Sequence, residues 1–263
     1  MKNVVIAAGY ATRLGELTKN FPKPLLKVGN NTILDRLLDD IDQIEDIDEH
    51  VVVTNHKFAP IFEKWACERM ALQDKNKKPI RIIDDGTSTN ETRLGAVRDL
   101  LLAISGNPDG CASDSVNKQT AIDDDILVIA ADNILNFSFQ GFVDYAKDKQ
   151  SSVIMCHQEP ELKKLQRTGV IAVDKDMKVL EMQEKPEKPV SNWAVPPFYI
   201  YNKKDIPLIL DCMNHGCGFD APGNLAHYLV GQTTIYAWPM PGTRFDIGSL
   251  DSYKEAQRVY GGE

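Results

Sequence analysis

Short, unbroken apolar runs recur along this chain, with helix-patterned segments between them. Val4-Val5-Ile6-Ala7-Ala8 contains no polar residue, and so short a run without alternation belongs to a strand covered on both faces. Ile33 to Ile41 instead spaces its apolar residues at helical intervals and puts charge on the opposite face, as a helix lying on a sheet does. The pair repeats. A strand is expected over His50–Asn55 and a helix over Phe62–Met70, then a strand over Ile80–Ile83 and a helix over Leu94–Ile104. A further buried strand, Ile126–Ala131, ends at Asp132. Such alternation predicts an α/β fold: a Rossmann-like, doubly wound, mostly parallel mixed sheet with helices on both faces.

Beyond Ser152 the texture changes. Val153–Cys156, Gly169–Val173, Lys178–Met182 and Phe198–Tyr201 read as strands joined by turn residues such as Asp174-Lys175-Asp176, and Leu250–Tyr260 as a closing helix after Gly248. Residues 105–125, rich in Gly, Asp, Ser and Asn, form a surface excursion. With 263 residues, 43% hydrophobic, the chain can bury a large core as a single domain.

Several function classes are excluded. No stretch is apolar enough to span a bilayer, and the N-terminal run is too short for a signal peptide, so no membrane association and a cytoplasmic setting are expected. A net charge of −8 with no basic face speaks against nucleic acid as a partner. Five scattered cysteines without a Cys-x-x-Cys pair fit reduced cytosolic thiols. Cys212-Met213-Asn214-His215-Gly216-Cys217 gathers two thiols and an imidazole, but a zinc site needs a fourth ligand and usually a second knuckle. Nothing in the sequence speaks to oligomeric state.

In a doubly wound sheet, ligands bind outside the carboxyl ends of the strands. There the first loop reads Ala7-Ala8-Gly9-Tyr10-Ala11-Thr12-Arg13-Leu14. Small residues let backbone N–H groups approach a phosphate, and Arg13 adds a planar charged donor; a plain strand-to-helix turn with an exposed arginine fits equally well. The loop is neither a dinucleotide fingerprint nor a Walker loop, which removes an oxidoreductase reading. Further on, Phe21-Pro22-Lys23-Pro24-Leu25-Leu26 brackets one lysine with two prolines. That either fixes an ammonium against a triphosphate or merely stiffens a loop.

In combination, Ala8-Gly9…Thr12-Arg13-Leu14 followed by Lys23-Pro24-Leu25-Leu26 closely resembles the nucleotidyltransferases that act on sugar 1-phosphates. The resemblance continues through Ala131-Asp132-Asn133, Thr168-Gly169-Val170-Ile171, Glu184-Lys185-Pro186 and Phe245-Asp246-Ile247-Gly248-Ser249. Ser191-Asn192-Trp193-Ala194-Val195 and Phe198-Tyr199-Ile200-Tyr201 are especially similar to glucose-1-phosphate thymidylyltransferases. It implies the fold of the nucleotide-diphospho-sugar transferases, with a nucleotide-binding half (1–135) and a sugar-phosphate-binding half (136–263). It further implies transfer of an NMP from a pyrimidine NTP to a sugar 1-phosphate, with release of pyrophosphate.

By the same resemblance, Arg13, Lys23, Asp132 and Lys185 are catalytic, and Ala8, Gly9, Thr12, Arg13, Lys23 and Gly95 hold the nucleotide. Gly169, Glu184 and Lys185 take the sugar phosphate, and Asp132 and Asp246 bind Mg²⁺. The chemistry is consistent with this. The attacking phosphate oxygen is already anionic, so no general base is needed, and the protein must bring two polyanions together and stabilise the leaving charge.

Three segments depart from the pattern. Tyr10-Ala11 replaces the glycine-rich stretch of the thymidylyltransferases. Asp84 to Gly95 lacks their expected glutamine, leaving Thr87, Ser88 or Asn90 to meet a base. Arg244 stands where they have tryptophan, either for an extra anionic group on the acceptor or for a surface salt bridge. Two rivals stay open: a cytidylyltransferase for a non-sugar phosphate such as phosphocholine, and a non-catalytic module that binds a nucleotide or sugar nucleotide.

Overall fold

A computed structural model describes residues 1–72, 74–110 and 121–262; the part of the 105–125 excursion that carries Cys111 lies outside them. The strands are β1 (Lys2–Ile6), β2 (Lys27–Val28), β3 (Asn31–Thr32), β4 (Glu49–Thr54), β5 (Ile80–Asp84), β6 (Ile126–Ala130) and β7 (Asn133–Leu135). They continue as β8 (Ser152–Gln158), β9 (Gly169–Val173), β10 (Val179–Glu184), β11 (Trp193–Val195), β12 (Phe198–Tyr201), β13 (Ile235–Pro239) and β14 (Arg244–Asp246). Every strand and helix expected above is present within a few residues of its expected ends. The α/β class, a mixed sheet with helices, is the architecture they build.

Several short elements lie beyond those expected, among them strands β2, β3, β7 and β11, and so do helices Gln140–Lys149 and Pro222–Val230 and strands β13 and β14. Pro222-Gly223-Asn224 looks like a turn in sequence. Proline is nevertheless well suited to a first helical turn, and burial of Leu225, Ala226 and Leu229 carries the helix onward.

The chain forms two compact units. The first comprises Met1–Val4, Leu94–Ile129 and Gly141–Met240, the second Val5–Arg93, Ala130–Gln140 and Pro241–Glu263. In the first, the strand order is β10-β9-β11-β8-β12-β6-β1, with β13 parallel beside β8. The β10–β9, β9–β11, β11–β8, β8–β12 and β12–β6 pairings are antiparallel; Glu184 of β10, for instance, faces Gly169 of β9, which also faces Val195 of β11.

In the second unit the order is β1-β4-β5, β4 and β5 being parallel with Val52 opposite Ile82. Helix Ile33–Ile41 buries Ile33, Leu34, Leu37, Leu38 and Ile41, each contributing roughly 1.5–3 kcal/mol of burial. Its start is fixed by Thr32, whose hydroxyl accepts from the Asp35 N–H at 2.9 Å.

A second apolar cluster in this unit joins Leu14, Leu26, Val28, Ile33, Ile134, Ile247 and Ala256. Four of these follow a chemistry-bearing residue closely in sequence: Leu14 after Arg13, Leu26 after Lys23, Ile134 after Asp132, and Ile247 after Asp246. One core therefore anchors four loops. Among the described residues, no helix is long and apolar enough to cross a membrane.

Candidate active site

The first loop leaves β1 at Ala7, whose N–H donates to the Val53 carbonyl at 2.8 Å. Buried Ala8 gives its carbonyl to Asn55 Nδ2 at 2.9 Å. Gly9 is exposed, with open space where a side chain would start. Ala11 then adopts φ 48°, ψ 39°, a left-handed conformation that costs an alanine of order 1–3 kcal/mol. Two contacts hold it: its carbonyl accepts from Thr18 Oγ1 at 2.8 Å, and its side chain packs on the Leu14–Ile247 cluster. The 3₁₀ turn Thr12–Leu14 follows, placing Arg13 on the solvent side and Leu14 in the core.

Lys23 opens a second 3₁₀ turn, Lys23–Leu25, between its two prolines. Although 9% exposed, its ammonium is fully engaged on one side: Nζ donates to Asp132 Oδ2 and to the Ile247 carbonyl, both at 2.8 Å. Asp132 takes a second bond at Oδ1 from Asn133 Nδ2 at 2.7 Å, and Asn133 Oδ1 accepts from an Arg244 guanidinium nitrogen at 2.7 Å.

The ribbon of β7 and β14 makes this possible. It pairs Asp246 with Asn133, and the Ile247 N–H donates to the Asp132 carbonyl at 2.9 Å. Asp246 is thereby held beside Asp132. Its carboxylate still reaches solvent, but partial burial and then the negative charge of Asp132 raise its pKa; Arg244, Lys23 and Arg13 pull the other way.

Ala7, Gly9, Arg13, Lys23 and Asp132 line one cavity of about 220 Å³ at the end of β1. Arg13 and Asp246 both approach Gly248: a Cβ there would lie 3.8 Å from an Arg13 nitrogen and 3.4 Å from Asp246 Oδ2. Thr12 lines a neighbouring hollow with Tyr10 and Asn90. Three cations, Arg13, Lys23 and Arg244, thus surround two carboxylates, a local positive excess in an acidic chain. Asp246 does not cap the closing helix; Ser249 does, through a capping box with Ser252. Arg244, half-buried, bonds Asn133 and lies close enough to Asp246 to favour its charge.

Gly95, Gly169, Glu184 and Lys185 belong to the first unit. Glu184 is flanked by Gly169 and Gly223: a Cβ on Gly223 would fall 1.9 Å from Glu184 Oε2, and one on Gly169 would meet Met182 at 2.6 Å. Both close contacts are with the ends of flexible side chains, so a Cβ at either place would displace the Glu184 carboxylate or the Met182 methyl. Burial raises the Glu184 pKa, opposed by Lys185, whose Nζ lies 3.7 Å away. Lys185 holds a positive φ of 49°, the second left-handed non-glycine residue in a segment singled out by sequence. Gly95 has φ 92° and a Cβ position 2.5 Å from the Phe219 carbonyl oxygen.

Sequence reasoning gave no role to Asn133 or to the Ile247 carbonyl, and left Arg244 open. The only available signal was adjacency, Asn133 beside Asp132 and Ile247 beside Asp246.

Comparison with known proteins adds the following. The family described as Nucleotidyl transferase matches residues 2–262. The glucose-1-phosphate adenylyltransferase of Fervidobacterium nodosum is 25% identical over 266 residues, covering 97% of this chain and 60% of its own length. The chain likewise spans 61% of the Thermosipho africanus adenylyltransferase, so it matches about three fifths of these relatives. UTP–glucose-1-phosphate uridylyltransferase AglF of Haloferax volcanii is 26% identical over 269 residues, covering 98% of this chain and 96% of its own. Among solved structures, a UDP-glucose pyrophosphorylase complexed with UDP-glucose shares the fold at a TM-score of 0.77, with 19% identity over 98% of this chain and 97% of that one.

Proposed function

The chain belongs to the nucleotidyl transferase family, and on that footing we propose that it transfers an NMP from an NTP to a sugar 1-phosphate, releasing pyrophosphate and forming an NDP-sugar. The observation that carries this reading is the Lys23–Asp132 pair beside Asp246 and Arg13 at the mouth of the first-loop cavity. Open space over Gly9 lets a phosphate come against backbone N–H groups, while Arg13 and Lys23 supply the charge that a triphosphate needs. As the α-phosphorus is attacked, negative charge builds on the pyrophosphate side. Fixed cations stabilise it without reorganising.

Asp132 and Asp246 fit a hard divalent ion. Both offer carboxylate oxygen, the ribbon of β7 and β14 holds them side by side, and the repulsion that raises the Asp246 pKa is what a cation relieves. Mg²⁺ is commonly held by one or two carboxylates and keeps its other places for phosphate and water. When bound, it would neutralise charge on the phosphates as the P–O bond breaks.

We assign the nucleotide to residues 1–135 and the sugar phosphate to 136–263, with Lys185 on the acceptor phosphate, Glu184 on sugar hydroxyls, and Gly169 and Gly95 as close-approach positions. The setting is cytoplasmic. Pyrophosphate release with Mg²⁺ tests the reading, using dTTP, UTP, CTP, ATP and GTP against a panel of sugar 1-phosphates and phosphocholine. Turnover with one sugar phosphate supports it and names the base. Turnover with phosphocholine alone, or nucleotide binding without any turnover, overturns it.

A further inference from the structure

Two cysteines that the site does not use, Cys212 and Cys217, lie in the first unit, in the short connection between helices Ile206–Asp211 and Pro222–Val230. Cys212 begins the 3₁₀ turn Cys212–His215, and Gly216 closes it in the left-handed region at φ 74°, ψ 24°. The reversal brings the Cys217 N–H onto the Cys212 carbonyl at 3.1 Å. The Cys217 thiol donates to the Gly218 carbonyl at 3.4 Å and lies beside the Cys212 thiol, and both are free. The backbone bond from Cys217 to Cys212 brings the two residues into the close approach a disulfide needs. His215 does not join the sulfurs, because its Nε2 is bonded to Asp211 at 2.8 Å.

We propose that Cys212 and Cys217 form a redox-active dithiol that closes to an intraloop disulfide under hydroperoxide. The two sulfurs are not equivalent. The neighbouring Cys212 thiol holds the Cys217 thiol below its ordinary range, and Cys217 first, then burial, pushes Cys212 above it. Cys217 is also the less buried, at 9% against 0% exposed, and so is the attacking thiol. Its thiolate sulfur bonds to one peroxide oxygen, the O–O bond breaks, and the other oxygen leaves as hydroxide, which takes up the proton Cys217 lost on ionising and becomes water. The Cys212 sulfur then displaces hydroxide from the Cys217 sulfenic acid; hydroxide takes the Cys212 proton and leaves as a second water. Two thiols lose two electrons and one peroxide gains them. Cys156 is the internal contrast: burial pushes its thiol up to about 12, and no second thiol faces it among the described residues.

The bond has a mechanical consequence. Gly218 follows Cys217 against Asn224, whose amide nitrogen lies 2.7 Å from the glycine's Cβ position. Next come Phe219 and Asp220, whose carbonyls accept from Val97 at 3.0 Å and Ala96 at 3.2 Å. Drawing Cys217 toward Cys212 therefore pulls on the residues that cover Gly95 and the start of helix Ala96–Ser105. An effect on nucleotide binding would rest on the assignment of Gly95 proposed above; the disulfide does not.

The test is peptide mapping of the full chain after stoichiometric hydrogen peroxide and alkylation of the remaining thiols. Trypsin releases Asp205–Arg244, which contains both cysteines and no internal Lys or Arg, and a separate peptide carrying exposed Cys67. The expected result is Asp205–Arg244 lighter by two hydrogens and refractory to alkylation, with both thiols restored by dithiothreitol. In Cys212→Ser, the expected product is a Cys217 sulfenic acid trapped by dimedone. Amide exchange at Ala96 and Val97 should rise on oxidation of the wild type. Double alkylation of Asp205–Arg244 while Cys67 in the same sample is oxidised overturns the dithiol, and this wild-type outcome stands even where the variant does not fold. A disulfide with unchanged exchange at Ala96 and Val97 overturns the mechanical link.

Discussion

Lys23 reaches Asp132 across 109 positions of sequence with an Nζ–Oδ2 distance of 2.8 Å, and the same ammonium holds the Ile247 carbonyl at 2.8 Å. One side chain thereby ties together the second loop, the end of the β6 connection and the segment after β14. An ammonium has three donor directions, and these bonds use two, leaving the third for a ligand in the cavity that Lys23 lines.

Lys23→Met should therefore remove both charge and organisation. We expect kcat for pyrophosphate release to fall by about 10²–10³, with the far-ultraviolet spectrum retained because Leu25 and Leu26 still bury. Lys23→Arg should not rescue it, since a planar fork does not match two point acceptors around a nearly buried ammonium. Activity of Lys23→Arg within a few-fold of wild type would contradict the geometry.

Asp246→Asn separates metal binding from the Lys23 anchor, because Asp246 lies beside Asp132 without holding Lys23. The Mg²⁺ concentration at half-maximal rate should rise by at least about tenfold, with partial recovery at high Mg²⁺. Asp132→Asn should show no such recovery, since it weakens Lys23 as well. An unchanged Mg²⁺ requirement in Asp246→Asn would remove this residue from the metal site.

Much of this arrangement is legible in the sequence, for reasons that differ by residue. β1 and helix Ile33–Ile41 are written in periodicity, since burial on two faces or on one stripe dictates composition directly. Arg13, Lys23 and Asp132 stand in loops whose ordered motifs carry a resemblance. Asn133 and Arg244 are another matter. Their contact depends on a ribbon of two three-residue strands more than a hundred positions apart, and three residues carry no period. The helix at Pro222 is hidden because Pro-Gly-Asn satisfies turn chemistry equally well, and only the apolar side chains after it decide. Gly95 is legible as a glycine but not in cause: the Phe219 carbonyl and Asp220 Cα, brought against it by packing, supply it.

Glycine replacements test that last point. Gly95 has positive φ and a Cβ position 2.5 Å from a backbone carbonyl, whereas Gly86 has φ 76° with nothing within 4 Å. Gly86→Ala meets only the left-handed penalty, roughly 1–2 kcal/mol. Gly95→Ala adds overpacking against backbone that cannot rotate away, about 1–3 kcal/mol more. Thermal melts should rank Gly95→Ala several degrees below Gly86→Ala. Equal melting temperatures would mean that the Phe219–Asp220 segment yields freely.

Stability against pH should carry the mark of His50. The ring is fully buried on β4, with Nε2 2.9 Å from Asp42 Oδ1. Burial, with Arg69 and Lys78 nearby, lowers its pKa despite Asp42. Burial opposes the Asp42 charge, but bonds from His50 and the Lys78 N–H, together with Arg69 at 2.7 Å, outweigh it and set its pKa below the ordinary range. Both shifts run downward, so between the ordinary and folded values the unfolded chain binds more protons than the native one, and stability falls as pH falls. For His50 that loss begins below about 6.5 and for Asp42 below about 3.9. His56 is shifted upward by its bond to Asp84 and opposes this, but it is fully exposed and screened. Urea midpoints should therefore decline from pH 7 to pH 5, by at most about 1.4 kcal/mol per unit from His50. His50→Asn, which keeps a donor towards Asp42 without a titrating ring, should be less stable at pH 7 yet flatter across that range. A slope identical to wild type in that variant would place the acid sensitivity elsewhere.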